Sequence, residues 1–576
     1  MGAFRSPVTS RIVRIGVRLG SVLAAALLLW HFHDRFWYPS DEGIYANIAE
    51  RLLSGQTLNV QVQNLHPGYA AFVNVAAFRL FGVDLLSLRY PLIASALLGS
   101  CAVFALLRRR SLLFAVIGSL GVTAVGVIQF LNPTPNWYCL SLALGLAWWL
   151  TTVPPRAPAR LIGAGFLVGL IGLFRQVTGV WVAMAVVTIA LIEEPDPSAD
   201  SSWLARLTLA VVLIVTVAVL VLSGQAEPGA SVLFAGWPVA ILLVALWRVR
   251  ITNRGAALVL LQIAAGAAIA AIPLLLYCIV HRSAPAWFSD NVTAAFRLGA
   301  VVEEANGGPW YLALLGAAAF QVIQSLEPVK VANGLYWMIL VLLAGLNGVL
   351  AVRRLARSRD MSDLALPILA GFYGLVALFM QDAIYLYFTT GLTLTSVLWM
   401  IAPTGPLLRA VGAGCTALLV VVGVTYHAGQ PYTRTNLQAL EGQRTVTSVE
   451  ASRIPRCSLQ LGAAESEPYR RLVELVQRAA PAGEPIAAFP SDAELYFLAN
   501  RPNPFRFYNS AIGIRTPGDI EEAVQILERE SPQILTVRPA DKYYTPASRV
   551  VVERVRSRYE RLETIGGVDV YRLKRR

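Results

Sequence analysis

Lysine is nearly missing from this chain, with three residues among 48 basic ones, and charge of any kind is scarce. Only 14% of the 576 residues are charged while 56% are hydrophobic. That composition excludes an ordinary soluble surface and suits a helical membrane protein. Cysteine is also sparse. Cys101, Cys139, Cys278 and Cys415 fall in or beside apolar runs, and Cys457 stands alone in a polar tail. No pair has metal-ligand spacing, so neither a disulfide framework nor a zinc site is expected. There is no internal repeat and no low-complexity tract. The formal charge of +13 comes from arginines in short loops between apolar runs, which points to membrane topology and away from nucleic acid.

Long apolar runs are what the chain has in plenty. They recur at about 12–36, 88–107, 111–131, 136–153, 158–173, 176–192, 203–223, 231–248, 255–280, 334–352, 364–381, 383–402 and 406–426. Arg5, Arg11, Arg14 and Arg18 precede the first, and His31-Phe32-His33-Asp34-Arg35 after it offers no small-residue cleavage site. A retained first helix with a cytoplasmic start is expected. The run at 67–83 is short and holds Asn74 and Arg79. Placed at the membrane surface, it leaves Arg108-Arg109-Arg110, Arg156 and Arg160, Arg248, Arg250 and Arg254, and Arg353, Arg354, Arg357 and Arg359 all on the side of the N-terminus, as the positive-inside rule demands. The acidic loop Glu193-Glu194-Pro195-Asp196 is the exception, and acidic residues weigh little in that rule. Thirteen spans follow, with outer segments at 37–87, 281–333 and beyond about 427.

Composition breaks after residue 429, so the chain divides into a membrane domain, 1–429, and a soluble outer α/β domain, 430–576. Within the tail, 465–480 reads as helical and 484–489 as extended. Residues 517–530 read as a helix capped by Thr516 with Pro517 at its first position. Extended structure at 533–538, a helix at 547–559 and a hairpin over 561–573 about Gly566-Gly567 complete it.

The stretch Tyr38-Pro39-Ser40-Asp41-Glu42-Gly43-Ile44-Tyr45 carries two adjacent carboxylates just past the first span. Ser40 as a cap, acidic residues in a first turn and an apolar stripe of Ile44, Tyr45, Ile48 and Leu52 closed by Gly55 describe a plain helix lying on the bilayer. Polar company on the same side favours chemistry. It comprises Asn132-Pro133-Thr134-Pro135-Asn136, Arg175-Gln176, Gln381-Asp382 with Tyr385 one turn on, and Arg89 at the start of the second span. Each has a bland account as a cap, a snorkelling side chain or a helix start. Together they outline an outward cavity of carboxylates and arginines, while the inner side shows only topogenic arginines. Group transfer from a lipid-linked phosphate suits such a cavity. Arginine neutralises the phosphate leaving group and a carboxylate takes the proton of an attacking hydroxyl.

Asp41-Glu42-Gly43, Tyr45, Ala49, Leu53 and Gly55, then His66-Pro67-Gly68, Leu80-Phe81-Gly82 and Arg89, resemble the first outer loop of GT-C glycosyltransferases, in particular the bacterial protein-mannosyltransferase and aminoarabinose-transferase-like set of glycosyltransferase family 39. The tail, around Glu494-Leu495-Tyr496-Phe497-Leu498-Ala499 and Arg501-Pro502-Asn503-Pro504, also looks like those of relatives. The resemblance implies about thirteen spans, two juxtamembrane helices in the first loop and an outer active site. It further implies inverting transfer from a polyprenyl-phosphate sugar to a glycan, lipid or protein hydroxyl. It maps the essential acid onto Asp41, with Glu42 beside it, a donor-phosphate contact onto Arg175, and a later outer-loop motif onto Asp382 with Tyr385. His66-Pro67-Gly68 departs from the Lys-Pro-Pro or Pro-Pro-Gly of relatives with lipid A or protein acceptors.

The expected enzyme therefore sits in the cytoplasmic membrane with its C-terminal domain outside. Asp41 and Glu42 are its catalytic candidates, Glu42 binding the acceptor or a divalent ion. Tyr45, His66, Arg89, Asn136, Arg175, Gln176, Asp382 and Tyr385 contact substrate. Arg282 or Arg297 joins Arg175 and Arg89 at the donor phosphate, and the loop 281–333, with Trp287, Phe288, Trp310 and Tyr311, closes over donor or acceptor. Nothing demands a cofactor, and a divalent metal is compatible. The rival class is a transporter or flippase of lipid-linked sugars; the lack of a repeat and of polar groups on both faces speaks against it.

Overall fold

Each of the thirteen apolar runs carries a helix in the computed structural model, which describes residues 7–155, 157–193, 202–226, 228–294, 310–357, 362–378, 383–429 and 449–574. Among the described residues ten helices are long and apolar enough to cross a membrane. The other three runs fold as Pro135–Thr152, Pro158–Phe174 and Ala365–Leu378. All ten residues of Ala365–Gly374 are buried by neighbouring helices. The chain is a multi-span α-helical protein with a C-terminal α/β domain.

The basic loops meet one another at one end of the bundle. Arg110 and Arg354 both pair with Asp363, at 2.6 and 2.8 Å, and Arg248 donates to the Leu355 carbonyl at 3.3 Å. Glu193, from the loop that broke the charge pattern, is buried in an ion pair with Arg160 at 2.6 Å. Arginines on these loops thus bind the loops to one another.

At the opposite end, α1 (Pro7–Phe32) is followed by α2 (Pro39–Leu53) and α3 (Tyr69–Phe81), and the chain then enters α4 (Arg89–Leu107). Two features of α2 differ from expectation. Ser40 is not its cap, because the helix begins at Pro39 and the Glu42 carboxylate accepts from the Tyr38 N–H at 3.1 Å. Nor does its stripe lie on lipid: Ile44, Ile48 and Leu52 pack with Leu58, Val62, Ala71 and Phe72. The opposite face meets the C-terminal helix Ala493–Ala499, and there a Cβ on Gly43 would overlap the Glu494 backbone. Periodicity shows that a face is apolar; it does not show what covers it. The short α3 is likewise roofed by protein, its Phe78 ring stacking on Phe497 with centroids 5.7 Å apart.

A helix unforeseen in the outer segment 281–333 spans Trp310–Gln324, with the fully buried Tyr311 donating to the Ala377 carbonyl at 2.9 Å. Tyr311 is therefore committed to packing and does not close over a substrate. At fifteen residues this helix is about 22 Å long, too short to read as a span.

In the C-terminal domain the strand pair β1 (Val449–Ala451) and β2 (Gln460–Gly462) precedes a four-stranded sheet. That sheet runs β3 (Ile486–Phe489), β4 (Ile534–Val537), β6 (Val568–Leu573), β5 (Tyr559–Ile565), with β3 and β4 parallel and the rest antiparallel. The elements read from sequence are all present. Thr516 forms a capping box with Asp519, and the β5–β6 turn places Gly566 and Gly567 at φ +55° and +79°, the left-handed pair that a two-residue hairpin needs. The β1–β2 pair and the helix Ala493–Ala499 went unforeseen, being three and seven residues long. β2 also takes in the chain leaving α1: Phe36 N–H donates to the Gln460 carbonyl at 3.0 Å and Gln460 N–H to that of Asp34 at 2.7 Å. One apolar core accordingly joins Trp37, Ala46, Ala49 and Phe78 of the first loop to Leu472, Val476, Leu495 and Phe497.

Beside the Gly43 contact, Asp492 pairs with Arg538 at 2.9 Å, and the Tyr469 hydroxyl donates to Glu494 at 3.2 Å. Both carboxylates are buried. Burial first, then the charge of Asp492, lifts the Glu494 carboxyl from 4.5 to about 8. The folded state therefore binds a proton that the unfolded chain has released, and the associated stability is complete below about 4.5 and lost as pH rises through about 8. Thermal unfolding in detergent checks this: wild type loses stability from pH 5 to 8, and Glu494→Gln flattens that slope.

Candidate functional site

Adjacent residues on a helix point about 100° apart, and this separates the two carboxylates of α2. Asp41 turns toward the loop between the third and fourth apolar runs, where Asn132 Nδ2 donates to its Oδ2 at 3.1 Å. Tyr45, one turn on and on the same face, donates to Thr134 Oγ1 at 3.4 Å. Thr134 Oγ1 also accepts from Asn136 Nδ2 at 3.1 Å, and Asn136 Oδ1 accepts from Arg175. Arg175 occupies the single extended residue between α7 (Pro158–Phe174) and α8 (Gln176–Glu193), and its guanidinium lies over the Tyr385 ring at 5.5 Å. Residues 132–136 thus hold Asp41 through Asn132 and join Tyr45 to Arg175 through Thr134 and Asn136.

His66 lies near Arg175. Burial first, and then the Arg175 charge, drives its imidazole down to about 3, so it is neutral at physiological pH. Its Nδ1 is buried with no hydrogen-bond partner among the described residues. Gln176 does not reach Asp41. Its Nε2 donates to the carbonyls of Leu65, at 3.0 Å, and Asn291, at 3.2 Å, and so anchors the His66 loop. Trp287 does similar work by donating to the Pro67 carbonyl at 2.8 Å. Arg282 and Phe288 are exposed. Asp382, with Gln381 and Arg297, lies outside the described residues.

Glu42 and Arg89 face each other, away from this chain of contacts. Arg89 is fully buried and all five of its N–H donors are occupied. Nε and Nη2 donate to Glu42 Oε1 at 2.9 and 2.7 Å, Nη1 to the carbonyls of His33 and Arg35 at 3.0 and 3.1 Å, and Nη2 also to that of Phe36. None is left for a phosphate. Glu42 Oε1 is taken by Arg89 and Oε2 by Tyr38 N–H, which leaves no oxygen facing an acceptor or a metal. Burial raises the Glu42 carboxyl above its ordinary value, against the opposing pull of Arg89. Among the described residues no three His, Cys, Asp or Glu side chains gather as a metal ion would require.

A set of contacts that the sequence reading did not contain joins the first loop to the C-terminal domain. Arg506, from the C-terminal domain, donates to the Asn59 carbonyl at 2.5 Å and pairs with the buried Asp290 at 2.6 Å. Asn59 Nδ2 donates to the same Asp290 oxygen at 2.8 Å. Gln63 N–H donates to the Arg506 carbonyl and Arg51 to that of Phe505, both at 2.9 Å. Nothing in the local sequence marks these residues, because the partners lie hundreds of positions apart.

No family model matches the chain. No curated protein matches it either. Among solved structures it is similar to ArnT from Cupriavidus metallidurans bound to undecaprenyl phosphate, at 13% identity over 98% of each chain with a TM-score of 0.35. The apo state of that protein is similar at 12% identity over 98% of each chain, with a TM-score of 0.34.

Removing one partner of a buried ion pair costs about 3–5 kcal/mol, because the other charge is stranded. Arg89→Met should therefore destabilise the protein by roughly that amount, and adding Glu42→Gln should restore part of it. Unfolding in detergent measures both; equal stability of Arg89→Met and wild type refutes the structural assignment of the pair.

Proposed function

We propose that this chain is a membrane glycosyltransferase that moves a sugar from a polyprenyl-phosphate carrier to an acceptor hydroxyl on the outer side of the cytoplasmic membrane. The carrying observation is the polar segment 132–136, in which Asn132 holds Asp41 while Thr134 and Asn136 join Tyr45 to Arg175, at the end of the bundle that the C-terminal domain covers. It supplies the two groups that the reaction needs, in one place. The resemblance of the first outer loop to glycosyltransferase family 39 supports the same reading.

In this mechanism Asp41 takes the proton from the acceptor hydroxyl, whose oxygen attacks the anomeric carbon in line. The bond from that carbon to the phosphate oxygen breaks, its electron pair leaves with the phosphate, and configuration inverts. Asn132 orients the Asp41 carboxylate. Arg175 neutralises the departing phosphate, oriented by Asn136 and seated over Tyr385. The neutral imidazole of His66 adds no second positive charge beside Arg175, so it serves as a hydrogen-bonding contact. Glu42 and Arg89 hold α2 in place so that Asp41 faces the site; they are positioning residues.

A lipid-linked-sugar flippase fits less well. The basic groups at the opposite end of the bundle are engaged in loop-to-loop contacts such as Arg110–Asp363–Arg354 and Arg160–Glu193, and do not form a second polar cavity among the described residues.

Purified protein in nanodiscs, supplied with radiolabelled undecaprenyl-phosphate sugars and a cell-envelope glycan extract, tests the reading. Asp41→Asn keeps the size and the Asn132 contact but removes the base, and its rate should fall about 10²–10⁴-fold. Equal transfer by the two proteins removes Asp41 from the chemistry. Sugar-lipid crossing the bilayer without transfer establishes the flippase instead.

A further inference from the structure

Three phenols from three separate elements gather near Asp41. Tyr45 comes from α2, Tyr385 from the helix Ala383–Ile401 and Tyr508 from the C-terminal domain, and each of the last two is within electrostatic reach of Tyr45. Tyr508 is half-buried and packs against the apolar cluster of Ile48, Leu58, Val62 and Ala71. The segment carrying it is stiff: Asn503 bridges Phe505 N–H and the Phe507 carbonyl at 2.9 Å each, and the Phe505 and Phe507 rings stack at 4.7 Å. The Arg506 clamp on Asn59 and Asp290 fixes this segment against the first outer loop. Burial first, then the carboxylates of Asp41 and Asp290, raises the Tyr508 hydroxyl and keeps it protonated, hence a hydrogen-bond donor.

An aromatic face with a polar tip, placed beside a carboxylate, suits a ring that carries both C–H faces and hydroxyls. Resting on the glycosyltransferase reading, we infer that Tyr508 is an acceptor-specificity residue: the C-terminal domain uses it to complete the Asp41 site and to hold a carbohydrate acceptor, its hydroxyl donating to an acceptor hydroxyl. The domain is then a wall of the active site, and the acceptor is a glycan rather than a protein.

The test compares Tyr508→Phe with wild type in nanodiscs, at saturating radiolabelled undecaprenyl-phosphate sugar and graded amounts of cell-envelope glycan extract. Loss of one hydrogen bond should raise the KM for the extract about tenfold, while affinity for undecaprenyl phosphate alone, read by native mass spectrometry, and thermal stability stay as in wild type. The retained ring keeps the apolar packing, so a purely structural role would move neither value. As a second readout, 3-fluorotyrosine placed at 508 should show a ¹⁹F titration that shifts to lower pH in Asp41→Asn. An unchanged KM in Tyr508→Phe, an unshifted ¹⁹F titration, or label found in protease-sensitive product overturns the inference while the enzyme reading stands. A wild type that transfers nothing overturns the enzyme reading itself and the acceptor role with it, even when the ¹⁹F shift reports the Asp41 contact.

Discussion

The buried pair of Arg89 and Glu42 is the constraint on which the half of this protein beneath the C-terminal domain depends. An arginine with five occupied donors ties together the last turn of approach from α1, the first turn of α2 and the first turn of α4. Such a knot is costly to desolvate and costlier to break, so its worth lies in geometry more than in net stability. It sets the rotation of α2 about its own axis. With Glu42 turned to Arg89, the helical step places Asp41 against Asn132 and Gly43 against Glu494. Three consecutive residues thus serve three different neighbours: a membrane-helix end, the inter-span loop and the C-terminal domain.

That arrangement explains why the C-terminal domain does not behave as an appendage. It adds β2 to the strand-like exit of α1, roofs α2 and α3 with a shared apolar core, and clamps the first loop through Arg506 and Asp290. Arg456, its guanidinium over the Phe497 ring of its own domain, adds an ion pair to Glu50 across the same junction. Charged contacts surround an apolar centre here, and the site is built where the loop, the bundle and the domain meet. A ligand reaching Asp41 is therefore bounded by all three.

Much of the fold was legible in the sequence because membrane helices and turns announce themselves locally. Each of the thirteen apolar runs located a helix. Thr516-Pro517 and Gly566-Gly567 marked their helix start and hairpin by backbone chemistry alone. Ala493–Ala499 was missed since a seven-residue helix carries too few periods to be told from a loop.

The sequence by itself determined the membrane class, the positions of most elements and the presence of two carboxylates and an interrupting arginine in the loops, for these depend on neighbours within a few residues. Tertiary structure alone decided which carboxylate is locked in a buried ion pair and which meets the inter-span loop. Asp41 and Glu42 are equivalent in any local description, and Arg89 and Arg175 look alike as outer-loop cations. A partner 47 positions away engages Glu42, and the Asn132 amide, 91 positions away, meets Asp41. Rotation of a helix about its axis is set by what its faces touch, and that information exists only once the chain has folded.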